Sequence, residues 1–204
     1  TEMCGLDATR EKIGYQPALL GVFALLASGA LAWASGATGA AIAAAEAKDL
    51  RDSLSEVLPA GMADNDFLKD TVSVDRDGQA VTIYRARQGK DVKAALFKVA
   101  GRGYAGEIQI LMAVDTEGRT LGVRVLKHAE TPGLGDKIEA KKDAWIKGFD
   151  GKSLGDPAPE KWAVKKDNGV FDQFAGATIT PRGVVKAVKG GLEFFAAHKA
   201  EITG

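Results

Sequence analysis

The chain carries no charged residue from Ile13 to Ala45. The first part of that run, "PALLGVFALLASGALAW", is dense in Leu, Phe and Ala. A bilayer core needs roughly 20 apolar helical residues, so the run predicts a membrane anchor over 17–45 behind an N-terminal segment 1–16. A core helix of a soluble domain seldom goes so long without a polar face. A cleaved signal sequence is the other reading, because "ASGATGAAIAAA" offers small residues for processing. The apolar run nevertheless exceeds a usual signal core of about 7–15 residues. The Gly/Ala-rich half, 35–45, suits close packing against neighbouring membrane helices. Arg10 and Lys12 before the run balance Lys48 and Arg51 after it, so the flanking charges assign no orientation.

Past the anchor the pattern changes twice. In "EAKDLRDSLSEVLP", Leu50, Leu54 and Val57 recur at helical spacing and Pro59 ends the run, which predicts a linker helix over 46–59. The period then drops to two. "DTVSVDRDGQAVTIYRAR" reads as two strands around an Asp77-Gly78 turn, and "VKAALFKVAG" as a third. In "GEIQILMAVDTEGRTLGVRVLKH", Ile108, Ile110, Met112 and Val114 share one face, and Leu121, Val123 and Val125 do likewise after the turn at Thr116-Glu117-Gly118. A helical stretch is expected from about Asp136 to Ile146, then an irregular Gly/Pro-rich region through Glu160. A long helix over about Pro181–Ala200 closes the chain, with Val184, Val185, Val188, Leu192 and Phe195 as its apolar stripe. Strands first and helices later predict an α+β domain over 60–204, an antiparallel sheet with flanking helices.

Composition narrows the chemistry. The 27 basic and 27 acidic residues cancel, which removes the electrostatic case for nucleic acid. Cys4 is the single cysteine, so no intrachain disulfide or thiol cluster forms. His128 and His198 lack neighbours at metal-ligand spacing, and no metal site is expected. No GxGxxG follows a strand, no Walker loop occurs, and no acid/base dyad stands out. No catalytic residues are assigned.

One short stretch holds the remaining interest. In "FDQFAGATITPRG", Pro181 suits a first helical turn and Thr180 before it suits a cap. Thr178 then stands just ahead of a helix N-terminus, where partial positive charge and unpaired amides favour an anion such as phosphate. Arg182 and Lys186 offer charge-assisted contacts, and Gly176 and Ala177 leave room beside the backbone. From these residues alone, the reading is an ordinary loop ahead of a capped helix. "SGAT" at Ser35–Thr38 repeats the letters inside the apolar run.

The stretch resembles the flavinylation motif of the FMN-binding domains in two membrane redox complexes: the Rnf electron-transport complex (its G subunit) and the sodium-pumping NADH:quinone reductase (its C subunit). The family pattern is Asp, two residues, Ser or Thr, then Gly-Ala-Thr. Asp172 and Gly176-Ala177-Thr178 match it, while Ala175 departs from the usual Ser or Thr. Six residues before Thr38 stands Ala32, so the earlier copy fails the pattern. "HAETPGLGDKI" (His128–Ile138) resembles the family's loop after a central strand, and "AGRGYAGEI" around Tyr104 a loop near the domain core, although the latter also reads as a plain turn. Likeness to the Rnf G subunit runs the whole length of the chain.

The resemblance implies FMN joined through its phosphate to Thr178, with Asp172 in the motif read by a flavin transferase. It implies an isoalloxazine lying against Gly133 and Leu134, with Glu130 and Thr131 at its edge. Gly176, Ala177, Thr180, Arg182 and Tyr104 complete the expected site. Lys137 either balances a reduced flavin or is a solvated lysine, and Glu130 on its own reads as a solvated turn residue. His128, Trp145 and Trp162 are expected to be structural. The implied role is an electron-carrying subunit among the other subunits of a bacterial inner-membrane translocase, held in lipid by one span, with its flavin domain on the periplasmic side. A tethered assembly module without flavin, and the equivalent subunit of the sodium-pumping reductase, are the alternatives.

Overall fold

The computed structural model describes residues 15–204 apart from Asp77; the side chains of Tyr15, Thr38, 40–44, Glu46 and Ala47 also lie outside the described set. Cys4, Arg10, Lys12 and Asp77 therefore lie outside the described residues. The chain divides into two compact units, Thr1–Asp49 and Leu50–Gly204.

One helix, α1 (Tyr15–Val57), covers both the expected anchor and the expected linker helix without a break. Its segment Gln16–Ala37 is long and apolar enough to cross a membrane, and none of it is buried. Leu20, Phe23, Leu25, Leu31 and Trp33 all stand open. A helix apolar on every side and exposed along this segment is at home in lipid, where its backbone bonds are satisfied internally.

The second unit is built on five antiparallel strands in sequence order: β1 (Thr71–Arg76), β2 (Gln79–Gln88), β3 (Asp91–Arg102), β4 (Glu107–Asp115) and β5 (Thr120–Lys127). Alternation sends successive side chains to opposite faces, and here both faces are covered. Phe97, Ile110, Met112 and Val123 face Val184, Val188, Leu192 and Phe195 of the terminal helix α2 (Ile179–Thr203), together with Phe149, Trp162 and Phe171 from the intervening loops. Leu96, Leu111 and Ala113 face the other way, onto Leu54 and Val57 from the end of α1 and onto Met62 and Phe67 after it. β2 and β3 are laddered only as far as Ile83 opposite Phe97; past that pair each strand keeps only its outer neighbour.

Two sequence expectations fail for identifiable reasons. Leu121 packs on the α1 side, away from Val123 and Val125. Register shifts there: Val114 pairs Thr120 while Ala113 pairs Gly122, so Leu121 is an extra residue that a period-two reading misplaces. The helix expected over Asp136–Ile146 is absent. Two short 3-10 turns, Gly135–Ile138 and Trp145–Phe149, bury Ile138, Ile146 and Phe149. The charged residues between them supply no apolar stripe to hold a longer helix against the core.

Candidate functional site

Three segments converge at one end of the sheet: the β3–β4 turn at Gly103–Gly106, the loop after β5 at 128–135, and the start of α2. Glu130 ties them together. Its carboxylate is 6% exposed. One oxygen accepts the Ala105 amide at 3.0 Å, and the other accepts the hydroxyl of Thr180, 50 residues away in sequence. Gly135 packs against the same side chain; a Cβ there would come within 2.7 Å of Glu130 Oε2. Glu130 is thus a buried bracket and not a solvated turn residue.

A second layer fixes the bracket. The Glu130 amide donates to His128 Nδ1 at 3.0 Å, which places the ring proton on Nε2, and Nε2 donates to Glu139 Oε1 at 2.9 Å. Lys142 Nζ reaches Glu139 at 2.7 Å and buried Asp136 at 2.9 Å. The hydrogen bond from Lys142 holds the Asp136 carboxyl below its usual range, helped by the Gly133 amide. Glu139 is held low by Lys142 and then by His128. His128 is structural here, as its position between two loop groups requires.

The stretch at 171–178 is anchored from behind. Trp145 Nε1 donates to the Asp172 carbonyl at 2.8 Å, and the Trp145 ring meets Phe174 edge-on at 5.1 Å. Phe171 stacks on Phe149 at 4.6 Å. Trp145 and Trp162 belong to this aromatic packing. The chain then turns, with Ala177 N–H donating to Phe174 O at 3.1 Å and Gly176 at φ +77°. A left-handed φ of that kind favours glycine.

Helix α2 begins two residues earlier than the sequence suggests, and this changes the two threonines. Thr178 occupies the cap position but its side chain makes no capping bond. Thr180, expected as the cap, lies inside the first turn, fully buried, with its hydroxyl given to Glu130. Pro181, which lacks an N–H, sits in the same turn, where no intrahelical donor is required.

Between these segments opens a cleft of ≈ 270 Å³ lined by Tyr104, Glu130, Thr131, Leu134, Gly176, Ala177, Thr178 and Thr180, and also by Gly135 and Ile179. Ile179 was not marked by sequence, because a lone Ile carries no site signal, whereas Gly135 belongs to the "HAETPGLGDKI" loop. Tyr104 is 75% exposed, Ile179 48% and Leu134 44%, an unusual grouping of open apolar side chains on this domain. The other marked residues lie outside the cleft. Gly133 (φ +80°) shapes the loop behind Leu134, and Lys137 is exposed. Asp172 pairs with Lys165 at 2.6 Å. Arg182 forms a two-pronged pair with Asp167, both bonds 2.6 Å. That pairing holds the Asp167 carboxyl below its usual range.

The FMN-binding domain family matches residues 103–193. The G subunit of the ion-translocating oxidoreductase complex from Cereibacter sphaeroides (strain ATCC 17029) is 54% identical over 185 residues, covering 90% of this chain and 84% of that protein. Its counterpart from Pseudomonas aeruginosa PAO1 is 46% identical over 204 residues, covering 96% of this chain and 94% of its own. Among solved structures, NqrC of Shewanella oneidensis aligns over 70% of this chain and 72% of its own, with 24% identity and a TM-score of 0.49. The chain belongs to the family of G subunits of ion-translocating oxidoreductase (Rnf) complexes, and residues 103–193 are its FMN-binding domain.

Proposed function

We propose that this chain carries FMN joined by a phosphoester to Thr178 Oγ1 and relays electrons within a membrane-bound Rnf-type complex, anchored by α1 with its flavin domain in the periplasm. The observation that carries the reading is the state of Thr178. Thr178 lines the cleft, its side chain uncommitted to a cap, at a helix start where partial positive charge favours a phosphate. The fit extends beyond that residue. Leu134, Tyr104 and Ile179 present the apolar surface a planar ring system needs, and Gly176 carries no side chain against Leu134, where an added Cβ would come within 3.7 Å of Leu134 Cδ2. Thr131 and the loop amides are the polar groups available at a ring edge.

Bound there, FMN supplies one- and two-electron redox chemistry. The residues of this chain supply position. The Glu130 bracket holds the three loops in one geometry, and the aromatic packing of Trp145, Phe171 and Phe174 holds the acceptor turn. A covalent tether keeps the cofactor from diffusing away, equivalent to a very high effective concentration. Asp172, exposed on the acceptor turn, is available to a flavin transferase during maturation. Arg182 contributes by fixing the start of α2 through Asp167.

Ala175 favours a second reading. It stands, exposed, where the family pattern has Ser or Thr, and a transferase that requires that hydroxyl would leave the chain as an assembly module without flavin. A visible spectrum of the full chain, denatured and washed free of loose cofactor, separates the two. The flavin reading expects a retained yellow chromophore; a colourless protein from cells that flavinylate other substrates overturns it.

A further inference from the structure

The cleft beside Thr178 carries a charge that the bracket does not explain. Among the described residues that line it, Glu130 is the single carboxylate, and no Lys, Arg or His accompanies it. Its two oxygens accept from the Ala105 amide and the Thr180 hydroxyl, both neutral donors. A buried carboxylate is ordinarily matched by a cation. The cations of the surrounding loops are engaged elsewhere. Lys142 sits between Asp136 and Glu139, Arg182 on Asp167 and Lys165 on Asp172, while Lys137 is exposed. His128 turns Nδ1 to the Glu130 amide as an acceptor, which leaves its ring neutral in this arrangement.

Holding three loops together needs acceptors, and a neutral side chain could supply one of them. It does not need a full negative charge in the wall of the cleft. Partial positive charge at the start of α2 offsets that charge, but a phosphate on Thr178 would draw on the same amides. For a ring bound in the cleft the consequence is electrostatic. Each electron that arrives without a proton adds a unit of negative charge to the ring. A fixed carboxylate in a water-poor wall opposes that gain more than it opposes the neutral oxidised ring. Two unit charges about 12 Å apart, at an effective dielectric of about 20, shift an equilibrium about tenfold, and closer pairs shift it more.

We propose that Glu130, besides holding the loops, sets the redox potential of the flavin: its uncompensated charge in the cleft wall disfavours the reduced ring and keeps the midpoint low. The cofactor is thereby a stronger reductant toward the next carrier than the same ring beside a neutral wall. This inference rests on the reading of Thr178 as the point of attachment.

The test is a spectroelectrochemical titration of the full chain in detergent micelles, with flavin content first scored by intact mass and electrons supplied by the electrode. In Glu130→Gln the ratio of reduced to oxidised flavin at the wild-type midpoint should rise at least about tenfold. That corresponds to a shift of about +30 mV for a two-electron couple or about +59 mV for a one-electron couple. Glu130→Asp, which keeps the charge, should stay closer to the wild type. Glu193→Gln, which removes an exposed carboxylate from α2, should leave the potential unmoved. A potential unchanged or lowered in Glu130→Gln overturns the proposal. So does an equal rise in Glu130→Asp, because loosened loops would then be the cause. Redox-difference infrared spectra of the wild-type chain, isotope-labelled at its glutamate side-chain carboxyls, decide the matter even if the Gln variant fails to mature. A glutamate carboxylate stretch displaced on reduction is expected; a silent carboxylate region, or a protonated-acid band from the cleft in the oxidised chain, overturns the proposal. A wild-type chain without flavin overturns the reading of Thr178 and this inference with it, whereas a flavin-bearing chain whose potential ignores Glu130→Gln overturns this inference alone.

Discussion

The letters Gly-Ala-Thr occur twice in this chain, and the two copies differ in everything but their letters. Gly36-Ala37-Thr38 lies deep inside α1, where every backbone N–H is bonded to the carbonyl four residues back and no donor is left over. Gly176-Ala177-Thr178 ends a turn closed by Phe174 and stands at a helix start, with Gly176 at φ +77°. Only the second copy offers an anion unpaired amides, a dipole end and an adjoining cleft. Reactivity at a threonine is a property of where the backbone begins and ends its hydrogen bonding, and three letters do not encode that.

This contrast can be broken outright. Thr178→Ala should remove all covalent flavin and Thr38→Ala none, as read by intact-protein mass; retention in the first or loss in the second reverses the assignment. The next effect tests what holds the second copy in place. Glu130→Ala deletes the carboxylate shared by Thr180 and Ala105 and leaves buried donors unpaired, a cost of about 3 kcal/mol, whereas Glu130→Gln keeps one acceptor and costs about 1 kcal/mol. Urea unfolding of the full chain in detergent gives both values, and equal costs would mean that the acceptor kept in Glu130→Gln contributes nothing to the bracket.

Glycine sharpens the comparison further. Gly176→Ala should destabilise by about 1–2 kcal/mol because its φ is left-handed. Gly36→Ala, with nothing within 4 Å of an added Cβ and helical backbone on both sides, should leave the melting of the 50–204 unit unchanged. The smallest effect concerns acid. Asp136 and Glu139 have folded pKa values below their unfolded ones, held there by Lys142. Their contribution is therefore complete above the unfolded values of about 3.9 and 4.3 and disappears as pH falls through the folded ones. Lys142→Met raises both folded values, so acid unfolding followed by circular dichroism should begin at a higher pH than in the wild type.

Much of the fold was legible because it is written in local periodicity. The apolar run of α1, the alternation of β4 and the stripe of α2 each express one face meeting one environment. Leu121 escaped because a bulge changes the phase of a strand without changing its composition. Residues 136–146 escaped because Ile138 and Ile146 sit at a helix-compatible distance while each is buried by its own short turn. At the candidate site, the acceptor turn and the loop at 130–134 could be marked from motif likeness. Their mutual arrangement could not. Glu130 meets Ala105 and Thr180 across 25 and 50 residues, and Arg182 meets Asp167 across 15. Such pairings depend on how the sheet brings its loops together, so a charge that looks available in sequence, such as Arg182, is already engaged in the folded chain.

The indole of Trp145 touches the acceptor turn twice, by its hydrogen bond to Asp172 and its edge against Phe174. Of the three tryptophans, Trp145 and Trp162 share one aromatic cluster while Trp33 belongs to α1. The domain thus carries its own optical gauge. Emission from that cluster should dim when a light-absorbing group settles beside Thr178 and recover when the turn loosens, giving a label-free, real-time signal for maturation of the protein.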